Sequence, residues 1–234
     1  MMLNQAAMSK VSNHRVACVT GGAKRIGRAL VLALHQANYN IIIHYHTSES
    51  EAIELVDYCN AIRPQSAKSV QGDLEDFETL PQLTWRIINS FGRLDCLVHN
   101  ASRFYPTPFG QISQQDWQNL FLTNAQTPLF ISQYLYPYLK KSQGCIISIL
   151  DIHANGKPFG GYTVYNMAKA AHQMMVQSLA IELAPDIRVN AIGPGPTLQG
   201  SRQSDSHFAR QRAATILERG AGPTDIQAAL GYLL

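Results

Sequence analysis

Long apolar runs are missing from this chain of 234 residues: nowhere do about 18 apolar residues follow one another, so no membrane-spanning helix is expected. Charge is sparse at 15%, the formal net charge is only +3, and no run of lysine or arginine marks a phosphate-tracking surface. A nucleic-acid partner is therefore disfavoured. The polar segment Met1 to His14 lacks the apolar stretch of a signal peptide; it reads as a flexible lead-in, residues 1–14, of a cytoplasmic protein. Cysteine is scarce as well. Cys18, Cys59, Cys96 and Cys145 are widely spaced and mostly set in apolar runs, which points to neither a metal site nor a disulfide framework.

What is present is enough apolar residue, 46%, to bury one full-sized α/β core. Short β-rich runs recur at Arg15 to Thr20, Asn40 to Tyr45, Ala67 to Gln71, Leu94 to His99, Cys145 to Leu150 and Ile187 to Ile192. Most are apolar on both faces, as strands of a helix-covered parallel sheet must be. Helix-like segments lie between them at Ile26 to Ala37, Ser48 to Ile62, Phe77 to Phe91, Gln114 to Lys141 and Tyr162 to Ala184. Ser48 to Glu51 and Ser113 to Asp116 both read as capping boxes. The alternation predicts an α/β, Rossmann-type doubly wound parallel sheet in a single domain, with ligands beyond the carboxyl ends of the strands. Residues 193–222, rich in Gly, Pro, Ser and Arg, read as one long irregular region, either a mobile substrate loop or a plain surface loop.

The first strand runs into Thr20-Gly21-Gly22-Ala23-Lys24-Arg25-Ile26-Gly27. Glycines there let backbone N–H groups approach a pyrophosphate at the positive end of a helix. An ordinary strand-to-helix connection also uses glycine; the position after the first strand favours a dinucleotide. Cofactors with a free ribose 2′-hydroxyl are usually met by Asp or Glu at the end of the second strand. Here His44-Tyr45-His46-Thr47-Ser48 carries no carboxylate, and Lys24 and Arg25 add donors suited to a 2′-phosphate, unless they are simply an exposed basic turn. Further on, Gly161-Tyr162-Thr163-Val164-Tyr165-Asn166-Met167-Ala168-Lys169 opens a helix with Tyr165 and Lys169 on one face. An ammonium beside a phenol is expected to bring its pKa down from ~10. Packing explains such a pair equally well when it stands alone.

It does not stand alone. With Asp73-Leu74 after the third strand, His99-Asn100-Ala101-Ser102 after the fourth, Asn124 in the long helix and Pro194-Gly195 after the sixth, the chain from residue 15 on resembles the short-chain dehydrogenases/reductases. The resemblance implies one NADP-binding reductase domain, residues 15–234. It places Asp73 and Leu74 by the adenine, Asn100, Ala101, Ser102, Pro194 and Gly195 beside the cofactor, Lys169 on the nicotinamide ribose, and Asn124 on a relay water. It also implies a homotetramer built on the helices Gln114–Lys141 and Tyr162–Ala184. The family normally adds one more strand after the helix that begins near Thr224, so the sheet is expected to lack its final strand.

Two departures bear on chemistry. Arg25 replaces a usually small residue of the turn, and Asp151 stands where a catalytic serine is expected. A carboxylate cannot donate to a developing alkoxide, but it suits a substrate offering a ring N–H or amino group. Both departures, with the segment Ala101 to Pro108, His44-Tyr45-His46 and Tyr162, resemble pteridine reductases. That likeness implies NADPH as the cofactor and a dihydropterin or dihydrofolate as the substrate. The substrate would be stacked by Phe104, met at its edge by Ser102 with Tyr162 nearby, and protonated by Tyr165 with Asp151 and Lys169. For Phe104 a core-closing aromatic, and for Asp151 a turn cap, stay open. Reduction of a 3-oxoacyl thioester or sugar ketone, and a non-catalytic NADPH-binding protein, are the rival readings.

Overall fold

Strands that are apolar on both faces need cover on both sides, and the chain supplies it by returning each strand through a helix. The computed structural model describes residues 11–154, 156–199 and 204–234. In chain order the elements are β1 (Val16–Val19), α1 (Arg25–Gln36), β2 (Asn40–Tyr45), α2 (Glu49–Ile62), β3 (Ala67–Gln71), α3 (Leu80–Phe91) and β4 (Cys96–His99). They continue with α4 (Gln114–Phe121), α5 (Thr127–Ser142), β5 (Cys145–Ile149), α6 (Thr163–Glu182), β6 (Arg188–Ile192), α7 (Asp205–Ala213) and α8 (Pro223–Leu233). Every strand pairing is parallel, in the order β3-β2-β1-β4-β5-β6. The winding direction reverses between β1 and β4, so the loops after these two strands part and leave a crevice beyond their carboxyl ends.

Alternate strand residues feed two cores. Ala17, Val19, Ile41 and Ile43 pack against Leu30, Leu34, Leu55 and Leu230 of α1, α2 and α8. Val16, Cys18, Ile42 and Leu97 face Leu83, Ile87, Ile131, Leu135 and Val176 of α3, α5 and α6. Each such fully buried aliphatic contributes about 1.5–3 kcal/mol. This is the doubly wound parallel sheet that the run pattern predicts, with six strands among the described residues. No described helix is long and apolar enough to cross a membrane.

Several local expectations need correction. The helix read as Gln114 to Lys141 is interrupted by a π-turn, Leu122–Gln126, which hands α4 over to α5. Ser48 makes no capping bond, and the Glu51 carboxylate, expected to reach back to the Ser48 N–H, pairs instead with Lys24 at 3.0 Å. The box at Ser113 does form, with Ser113 Oγ accepting from the Asp116 N–H at 3.1 Å and Asp116 Oδ2 accepting from the Ser113 N–H at 2.9 Å. Residues 193–222 are not irregular throughout: α7 lies inside them, and 200–203 fall outside the described residues, as do 1–10 of the lead-in segment.

Candidate active site

The glycine turn is built from the sheet upward. Gly21 adopts φ +59°, and its N–H donates to His44 Nδ1 at 3.2 Å, while His44 Nε2 donates to the Gly72 carbonyl at 3.1 Å. Burial lowers the His44 pKa to about 4, which keeps the ring neutral and able to accept. The Asn100 amide donates to the carbonyls of Thr20 and Gly21, both at 2.9 Å, and Thr20 Oγ1 accepts the N–H groups of Asn100 and Ala101. A Cβ on Gly27 would stand 2.1 Å from the Gly21 carbonyl oxygen, so only glycine lets α1 begin this close to the turn.

Over this turn opens a cleft of about 380 Å³. Gly21, Lys24, Arg25, Ile26, Gly27, Tyr45, His46, Thr47, Asn100, Ala101 and Ser102 line it, all of them expected at a cofactor. Three others are elsewhere. His44 is the buried strut beneath the turn, and Leu74 is buried with its carbonyl accepting from Thr127 Oγ1. Asp73 sits by His46, 3.7 Å from its Nε2, and accepts the Glu75 N–H. The tight glycine approach and the helix start behind it fit a dinucleotide pyrophosphate, with Lys24, His46, Thr47 and Ser48 around the ribose end.

A second cavity, about 310 Å³, adjoins the first and shares Arg25, Ile26, Asn100 and Ser102 with it. Asp151, Tyr165, Lys169, Phe104, Pro194 and Gly195 all line this cavity. β5 delivers Asp151 just past its end and α6 delivers Tyr165 and Lys169 one turn apart, so two consecutive elements meet at the crevice. The Tyr165 hydroxyl donates to Asp151 Oδ2 at 2.9 Å, and Asp151 Oδ1 accepts the His153 N–H at 2.9 Å. Asp151 therefore both caps the turn and faces the phenol.

Lys169 does not bring the Tyr165 pKa down in this geometry. Its Nζ donates to the Ile149 carbonyl at 3.0 Å and lies 5.9 Å from the centre of the tyrosine ring. Burial, then the charge and hydrogen bond of Asp151, push the Tyr165 pKa far up, against a smaller opposing pull from Ser102. The phenol is held protonated. Burial lowers the Lys169 pKa to about 8, partly offset by Asp151.

Two further expected site residues, Tyr162 and Asn124, also line neither cavity. Tyr162 stacks behind Phe104, the rings 4.7 Å apart and 11° from parallel. The Asn124 side chain is taken up by Ser102 Oγ at 2.7 Å and the Arg103 carbonyl at 2.9 Å. Phe104 itself is 43% exposed and meets the Tyr165 ring edge-on at 4.8 Å. The cavity also includes His153, Phe159, Leu198, Phe208 and Gln211, which the sequence reading passed over. Phe208 and Gln211 stand three apart on α7, a spacing that marks one helical face once that segment is known to be helical.

Residues 15–209 match the short chain dehydrogenase family. The chain belongs to that family. Among relatives, this short-chain dehydrogenase is 35% identical over 218 residues to pteridine reductase 1 of Leishmania tarentolae, covering 77% of this chain and 75% of the relative. It is 31% identical over 227 residues to an uncharacterised oxidoreductase of Mycobacterium tuberculosis, covering 94% of this chain and 85% of that protein. Among solved structures it resembles the FolM alternative dihydrofolate reductase 1 of Brucella suis in complex with NADP. The TM-score is 0.88 at 30% identity, over 93% of this chain and 87% of that one. The Brucella canis counterpart, also complexed with NADP, gives a TM-score of 0.85 at 31% identity, over 95% and 87% of the two chains.

Proposed function

We propose that this short-chain dehydrogenase is an NADPH-dependent reductase of pterins, acting on a dihydropterin or dihydrofolate. The observation that carries the reading is the Asp151 carboxylate at 2.9 Å from the Tyr165 hydroxyl, in a cavity walled by the exposed Phe104 ring. Likeness to a pteridine reductase and to two dihydrofolate reductases solved with NADP supports it.

Bound NADPH supplies the hydride. The residues of this chain do the rest. Lys169, anchored on the Ile149 carbonyl, would hold the nicotinamide ribose, with Pro194 and Gly195 alongside. Phe104, backed by Tyr162, offers a flat face to a heterocycle, and Ser102 offers a hydroxyl to its edge. Tyr165, kept protonated by burial and Asp151, acts as an acid: its proton goes to the ring nitrogen of a C=N bond whose carbon receives the hydride. Asp151 accepts from a ring N–H or amino group, and a proton from solvent, passed through the Asp151 carboxyl, restores the phenol after each turnover. The same carboxylate opposes a developing alkoxide, which favours a heterocycle over a ketone. The exposed faces of α4 and α6, with Trp117 and the seven-residue series Met167, Met174 and Ile181, support the homotetramer.

NADPH oxidation followed with dihydrobiopterin, dihydromonapterin, dihydrofolate and acetoacetyl thioester tests the reading. Turnover of a pterin or dihydrofolate is expected, with Tyr165→Phe losing at least about a hundredfold in kcat. If Asp151→Ser raises ketone turnover and leaves pterin turnover intact, a carbonyl reductase is the better reading. If no substrate is reduced while NADPH binds tightly, the protein is a non-catalytic nucleotide binder.

A further inference from the structure

Arg103 stands between Ser102 and Phe104, the two loop residues proposed to meet the substrate, yet its own side chain lines neither cavity. It turns to a different set of partners. Its Nη2 donates to Glu75 Oε2 at 2.7 Å and its Nε donates to Glu75 Oε1, a forked pair. Thr123 Oγ1 donates to the same Glu75 Oε1 at 2.8 Å. From the adjacent residue, Asn124 Nδ2 donates to the Arg103 carbonyl at 2.9 Å and Asn124 Oδ1 accepts from Ser102 Oγ at 2.7 Å.

These bonds close a ring through three segments: the loop after β3 (Glu75), the loop after β4 (Ser102, Arg103) and the π-turn between α4 and α5 (Thr123, Asn124). The ring passes through the place where the helix departs from α geometry. An inserted π-turn swings consecutive residues, Thr123 and Asn124, so that one reaches the Glu75 carboxylate and the other the Arg103 backbone. It also answers a mechanical need. Residues 100–106 carry no regular secondary structure, so without side-chain ties their backbone would hold Phe104 loosely.

We infer that Arg103 is a positioning residue: through Glu75 it fixes the Ser102–Phe104 backbone so that hydroxyl and ring are presented together to a flat heterocycle. The assignment of what they meet rests on the pterin reading; the fixing of the loop does not. Lysine cannot replace the guanidinium here, because a point charge makes no forked pair.

Two measurements on Arg103→Lys, Arg103→Ala and Glu75→Gln test it. In the substrate-free protein, amide exchange at Asn100 and Ala101, whose N–H groups donate to Thr20 Oγ1 at 3.0 and 3.1 Å at the root of this loop, is expected to speed up at least about tenfold in each variant, with α1 and α6 unchanged. In steady state, KM for the dihydropterin is expected to rise about tenfold while kcat changes far less, with NADPH Kd within about twofold. The Arg103→Ala/Glu75→Gln double variant is expected to be no worse than either single. Unchanged exchange in all variants overturns the inference, as does faster exchange with KM unaltered. Absence of pterin turnover by the wild type sinks the substrate reading alone, because exchange still reports whether Arg103 holds the loop.

Discussion

Lys169 is expensive to keep. Its ammonium is buried at 3% exposure and its pKa is lowered from 10.5 to about 8, so the folded state binds its proton less readily than the unfolded chain. A depressed folded pKa means stability is complete above about 10.5 and falls as the pH drops toward 8; at pH 7 the full penalty, about 3 kcal/mol, is in force. Lys169→Met removes it, against about 1–2 kcal/mol for leaving the Ile149 carbonyl unpaired. The variant is expected to be more stable than wild type in urea at pH 7, with the advantage shrinking between pH 8 and 10.5, while reductase activity is lost. A less stable variant at pH 7 would contradict the burial argument. At this scale the sequence named Asp151, Tyr165 and Lys169, and the fold brings them to one cavity. It did not reveal that the phenol's pKa moves up, because that depends on which atom the ammonium reaches, and the Ile149 carbonyl is not visible in a motif. Nor did it separate His44, a buried strut within β2, from His46, an exposed lining residue just past the strand's end.

The capping motifs show the same limit for whole elements. Ser113 and Ser48 each precede an acidic residue three places on, yet only the first pair forms: Asp116 bonds back to Ser113, whereas the Glu51 carboxylate is drawn to Lys24 and the Ser48 side chain makes no cap bond. Ser113→Ala is therefore expected to lower Tm by about 2–4 °C and Ser48→Ala by less than about 1 °C, as read by calorimetry. Equal shifts would mean that Ser48 also caps its helix. Strands and the long helices were legible because their apolar periodicity follows directly from burial. α7 was not: it is polar nearly all round, and Phe208 alone gives no period. The π-turn was equally hidden, since its side chains bond to distant partners, Thr123 to Glu75 and Asn124 to Arg103, that no local pattern announces.

The whole molecule keeps its histidines neutral at its centre. Burial lowers the pKa of His44 to about 4, that of His99 to about 3, and that of His172 well below the usual range. His99 and His172 each pair with a buried serine hydroxyl, Ser132 at 2.8 Å and Ser148 at 2.9 Å. The folded values lie below about 6.5, so these groups leave stability intact above that pH. They withdraw it as the pH falls toward 4, by about 1.4 kcal/mol per unit for each histidine. The urea midpoint should therefore drop steeply between pH 6.5 and 4.5, and a flat midpoint there would show that the rings are protonated in place. Parallel order and doubly covered faces could be read from the alternation of runs. Which polar side chains pair inside could not, because serine and histidine carry no periodic signal.

One guanidinium borders both cavities. Arg25 donates to the carbonyls of Leu198, at 3.3 Å, and Gln199, at 2.7 Å, while its stem lies on the glycine turn. Both bonds come from Nη2, and the guanidinium carries further donors on Nε and Nη1, so the same group can face a phosphate while it holds the chain after β6. The two compartments therefore share one fastening, a single side chain that borders both and pins the wall between them.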